Sequence, residues 1–122
     1  MKIWRNIILF YLGGMGYCGL ELLWRGRTHG SMFLLGGSCF LLLGKVGRLR
    51  LSSPLRAALG GLCITAGELF AGLIINRRFS VWDYRAMPMN FQGQICLLYS
   101  FLWIILSPVG WKINHALASK LP

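Results

Sequence analysis

Four stretches of the chain carry apolar residues with almost no charge among them, and short charged segments separate them. A helix needs about 20 apolar residues to cross a hydrocarbon core of about 30 Å, so the length of each stretch decides its reading. The first covers residues 4–24 and is interrupted only by Arg5 at its start and Glu21 near its end. The second, residues 29–46, is short for a span and calls for tilted neighbours or a locally thinned bilayer. The third covers residues 57–76 with Glu68 inside it. The fourth covers residues 91–111, with Pro108 near an end where a helix break is tolerated.

This pattern predicts an all-α polytopic membrane protein, a four-transmembrane-helix bundle with short loops, forming one membrane domain over residues 1–122. The connecting segments, 25–28, 45–56 and 77–90, are too brief to hold a soluble domain. Pro54 is expected just ahead of the third helix. In the last connection Phe79, Trp82, Tyr84 and Phe91 alternate with Arg77, Arg78, Asp83 and Arg85, a mixture suited to the headgroup region. Lys2 and Arg5 precede the first apolar run as in a signal peptide, but no small-x-small cleavage pattern follows. The first helix is therefore expected to stay in the mature protein.

Composition narrows the class. With 56% hydrophobic and 13% charged residues, the chain has too little polar surface to cover a soluble globule of 122 residues. Thirteen Lys and Arg against three acidic residues give a formal charge of +10. These cations are scattered through short loops and no nucleic-acid module accompanies them. They read as attraction to anionic lipid headgroups, with no nucleic acid as partner. Eight lie at the N-terminus, in segment 45–56 and in the tail, and five lie in the other two connections. The bias predicts cytoplasmic N- and C-termini in a bacterial plasma membrane. Its small margin leaves insertion in antiparallel copies open.

Only Glu21, Glu68 and Asp83 are acidic, so each carboxylate is worth placing. An ionisable group inside a span is costly, which makes Glu68 the first candidate for a binding or proton-coupling group. Counted from Ala57 it lies roughly 16 Å into the membrane, near the midplane. Gly61, Thr65 and Gly72 share its helical face and leave room for a crevice or a closely packed helix. The competing reading is a protonated Glu68 that only fixes packing. Glu21 and Arg25 stand at i, i+4 spacing, which favours a local ion pair, although Gly14 and Tyr17 on the same face would suit a vestibule leading to Glu68.

Asn90, Gln92 and Gln94 bring three amides to the start of the fourth apolar stretch, where they can cap the helix or contact a polar solute. Gly13, Gly16, Gly60, Gly61 and Gly72 offer surfaces for close helix packing. Cys18, Cys39, Cys63 and Cys96 fall one per helix at different depths and without CxxC spacing, so they read as small buried residues. His29 and His115 lie outside any metal-ligand spacing. No nucleophile triad, Walker loop or dinucleotide fingerprint is present, and no catalytic residue, metal or cofactor is expected.

The segment from Trp82 through Leu97, WDYRAMPMNFQGQICL, carries a WDY, a Pro-x-Asn and a Gly-x-Ile-Cys element. It resembles the ABC-transporter type IV, permease-like family of small bacterial membrane proteins. Gly67-Glu68 and Glu21 are similar to acidic positions of that family, and a looser likeness extends over most of the chain. The resemblance implies a bacterial plasma-membrane protein with a transport role.

The residues and the resemblance together lead to the expectation of a small permease or permease subunit moving a small cation or polar solute. It would act as a homo-oligomer, with a dimer favoured, and with room for an unidentified membrane or ATPase partner. Glu68 would bind the cation or proton, and Glu21, Asp83, Asn90 and Gln94 would form the outer approach. The alternative is a non-transporting accessory or scaffold subunit of a larger membrane complex. A lipid-modifying enzyme is a minor third reading, weakened because Asp83 has no second acid, metal set or nucleophile beside it.

Overall fold

In the computed structural model, which describes residues 2–121, four helices follow one another: α1 (Lys2–Arg25), α2 (Gly30–Val46), α3 (Ser53–Ile75) and α4 (Leu97–Ala118). Between α3 and α4 two short antiparallel strands, β1 (Asn90–Phe91) and β2 (Ile95–Cys96), pair Asn90 with Cys96 and Phe91 with Ile95. Three helices, α1, α3 and α4, are long and apolar enough to cross a membrane. The fourth, α2, is apolar but has 17 residues, about 25 Å of helix. Large apolar side chains such as Trp4, Met15, Leu34, Phe70, Leu98 and Ile105 stand exposed on the outside of the bundle. A surface of that kind is stable against lipid and not against water.

Two boundaries differ from the sequence expectation. Pro54 lies inside the first turn of α3 and not ahead of it, because a proline costs nothing where the backbone N–H would be unpaired anyway. The fourth helix begins at Leu97, six residues after the expected Phe91, and runs to Ala118. Residues 91–96 belong to the strand pair, and the uncharged Gln92 and Gln94 put no charge between that pair and the apolar run that follows. As a result Pro108 is interior to α4. Its missing N–H leaves the Ile104 carbonyl without the usual donor. One residue earlier, Ser107 donates its hydroxyl to the Trp103 carbonyl at 2.7 Å.

Helix α2 is the hub, packing on α1, α3 and α4, whereas α1 and α4 meet only marginally. The α1–α2 seam interlocks glycine pairs with aromatic rings. Gly13 and Gly14 of α1 receive Phe40 and Phe33 of α2, while Gly36 and Gly37 of α2 receive Tyr17 and Phe10 of α1. Across the α3–α4 seam Gly60 faces Ser107 and Gly61 faces the backbone of Ile104. A Cβ at Gly72 would meet the Gln94 side chain, and one at Gly16 would meet nothing within 4 Å among the described residues.

Valine at position 61 is expected to open the α3–α4 seam. A Cβ there would stand 2.8 Å from the Ile104 Cα and N, and backbone cannot rotate away. The cost should be about 1–3 kcal/mol, read as a lower unfolding temperature in detergent. Gly19→Ala, which meets open space, should leave that temperature unchanged.

Candidate functional site

The connection between α3 and α4 folds back over the end of the bundle, and Asn76 organises it. Asn76 ends α3 and is fully buried. Its Nδ2 donates to the Trp82 carbonyl at 2.6 Å and to Gln94 Oε1 at 2.9 Å, while its Oδ1 accepts from the Val81 and Trp82 amides at 2.8 and 3.3 Å. Gln94 returns a bond from Nε2 to the Asn76 carbonyl at 3.0 Å. The Trp82 indole donates to the Gln94 carbonyl at 2.8 Å. Fixed in this way, Val81 and Trp82 drop between the helix ends and pack with Met32, beside Tyr17, Leu35 and Ala71. Positive φ at Gln92 and Gly93 turns the chain back, and Asn90 Oδ1 holds the Gly93 amide at 3.0 Å.

Directly beneath this cap lies Glu68, 3% exposed. It stands seven residues before the end of α3, about 10 Å along the axis, and so lies in the half of the bundle nearer the cap. Because α3 begins at Ser53 and not at Ala57, Glu68 lies further along the helix than a count from Ala57 places it. Both carboxylate oxygens have donors: the Trp103 indole N–H reaches Oε1 at 2.8 Å, and the Tyr84 hydroxyl faces Oε2 at 3.4 Å. Tyr84 in turn stacks on Tyr99 with ring centroids 5.2 Å apart. Burial, followed by the nearby Glu68 carboxylate, holds the Tyr84 phenol above its ordinary pKa, so it remains a protonated donor. Tyr17 of α1 faces both Glu68 and Glu21.

One side of the site opens on a cavity. A cavity of about 450 Å³ lies where α1 and α4 fail to close on each other. Leu12, Gly16 and Leu20 line it from α1, and Val109, Gly110 and Ile113 line it from α4. Its floor is Gly36, Cys39 and Leu43 of α2. Glu68 is the ionisable carboxylate among its lining residues, with Tyr17 and Trp103 beside it.

The other expected site residues are placed differently. Glu21 is half-buried and paired with Arg25, whose guanidinium also donates to the Val81 carbonyl at 2.8 Å and so ties α1 to the cap. Thr65 donates to Ser100 at 3.1 Å in the α3–α4 seam and does not line the cavity. Gln94 is buried in the Asn76 knot. Asn90 is exposed and braces its turn by donating to the Met87 carbonyl at 2.9 Å. Asp83 faces solvent with Arg85, held by two guanidinium bonds of 2.9 and 2.8 Å and by the Arg85 amide at 2.9 Å.

Those bonds hold the Asp83 carboxyl well below its usual range, at about 2. Because the folded value is depressed, whatever the pair adds to the loop is present above the ordinary value of about 4 and is lost as pH falls through the folded value. Asp83→Asn should therefore leave the shape of any activity profile between about pH 5 and 8 unchanged. A pH titration of wild type and variant side by side checks this.

Asn76, Tyr84 and Trp103 were not assigned to the site from sequence. A signal for the last two did exist. A tyrosine or tryptophan inside an apolar bundle needs an acceptor for its polar hydrogen, and Glu68 is the carboxylate at that depth. The pairing was invisible because Trp103 lies 35 residues from Glu68 and Tyr84 lies 16 residues away.

A multi-pass helical membrane protein with a capped carboxylate beside an apolar cavity is the class that fold and site define. Residues 8–121 match the family described as Putative ABC-transporter type IV, and the chain belongs to that family. The family is of transporter type. No curated protein and no solved structure matches the chain.

Proposed function

We propose that the protein is a small permease or permease subunit in which Glu68 binds a cation or carries the coupling proton. All four helices, the short α2 included, cross a bacterial plasma membrane with both termini cytoplasmic, and two copies form the working unit. The observation that carries this reading is a buried carboxylate residue among those that line an apolar cavity. Glu21, paired with Arg25 near Tyr17, belongs to the approach, while Asp83, Asn90 and Gln94 shape the cap above it. Thr65 steadies the α3–α4 seam behind the site.

The test is cation flux into proteoliposomes containing only this chain, wild type against Glu68→Gln. Flux that depends on Glu68 supports the permease. A purified chain that moves nothing, and that copurifies with larger membrane subunits, would make it an accessory component instead.

A further inference from the structure

We infer that the cavity between α1 and α4 binds an amphiphilic organic cation, an alkyl- or aryl-substituted ammonium or phosphonium whose charge rests against Glu68. This deepens the permease reading and rests on it. The ligand chemistry follows from what the walls lack. A small inorganic cation must exchange its water for several oxygen ligands, and divalent ions ask for about six or more. Glu68, Tyr17 and Trp103 line the cavity among leucine, isoleucine, valine, phenylalanine, cysteine and glycine, and no second carboxylate residue is among the lining residues. An organic cation has no coordination shell to replace, and its hydrocarbon substituents gain from the same walls.

Three further observations agree with that class of ligand. The volume of about 450 Å³ falls within the range of small-molecule sites, about 300–1,000 Å³. Tyr17 and Trp103, with ring centroids 6.3 Å apart, both line the cavity beside Glu68, and aromatic faces attract cations without requiring coordination. The Glu68 oxygens accept one bond each from Trp103 and Tyr84, and a carboxylate has lone pairs to spare for a third partner. Gly16 lines the cavity, and a Cβ added there would meet nothing within 4 Å among the described residues.

The experiment titrates tetraphenylphosphonium into the full chain held in nanodiscs of zwitterionic lipid, following the heat of binding. Saturable binding is expected. Removing the charge in Glu68→Gln should weaken it about thirtyfold or more. Filling the cavity in Gly16→Leu should weaken it by about tenfold or more, while the unfolding temperature of both variants stays near that of the wild type. Absence of saturable binding to the wild type, or equal binding by Glu68→Gln, overturns the inference. Flux of sodium or potassium in proteoliposomes separates it from the reading beneath it. If such flux depends on Glu68 while the phosphonium fails to bind, the permease stands and the organic-cation assignment falls; if neither is seen, both fall.

Discussion

Glutamine at position 68 is expected to reduce transport by on the order of a hundredfold, about 3 kcal/mol, with little change in folding. The two effects separate because of the local bonding. The glutamine carbonyl oxygen can accept from the Trp103 indole as Oε1 does now, and the new amide can donate to the Tyr84 oxygen, which is both donor and acceptor. Shape and hydrogen bonding survive, and only the capacity for negative charge is lost. Uptake into proteoliposomes and thermal unfolding in the same lipid read the two quantities independently. A glutamine variant that transports normally removes Glu68 from the mechanism, and one that unfolds instead makes it a packing residue.

Aspartate at the same position sharpens the reading. It keeps the charge but draws the carboxylate back by one methylene, so it cannot hold both Trp103 and Tyr84 at their present distances. Residual transport in Glu68→Asp, against none in Glu68→Gln, assigns the work to charge. Trp103→Phe removes one donor while keeping an aromatic wall, and it should fall between the two.

The spans were legible in the sequence because lipid demands an unbroken apolar run, and the residues that interrupt those runs stand out. Glu68 could be singled out for the same reason. What was illegible is the segment that covers it. Gln92 and Gln94 carry no charge, so residues 91–96 read as the start of the fourth span. In the fold they form a strand pair whose turn needs positive φ at two consecutive residues. Of the two, only Gly93 is a residue type that favours positive φ, so the turn leaves a weak mark in the sequence. The α1–α4 gap was equally hidden, because a missing contact between helices leaves no mark on the periodicity of either one. Gly13 and Gly16 are alike in the sequence, yet only the arrangement of neighbours within the chain sets Gly13 against Phe40 and leaves a Cβ at Gly16 without a contact among the described residues.

Asn76→Ala is expected to release the cap and to cost on the order of 4 kcal/mol, the largest stability loss of any single side-chain truncation near the site. The estimate follows from what remains when the amide is gone. The Val81 N–H, the Trp82 carbonyl and Gln94 Oε1 lose their partner in a buried place, and each such group costs about 1–3 kcal/mol. Gln94→Ala should cost less, because Asn76 would keep its bonds to Val81 and Trp82. The difference between the two variants can be read from thermal unfolding in detergent and from protease cleavage at Arg77, Arg78 or Arg85, which ought to accelerate in Asn76→Ala first. A released cap also withdraws Tyr84 from Glu68, so the same variant should lose transport even where its four helices persist. Loss of the cap without loss of transport would show that Glu68 works with Trp103 alone.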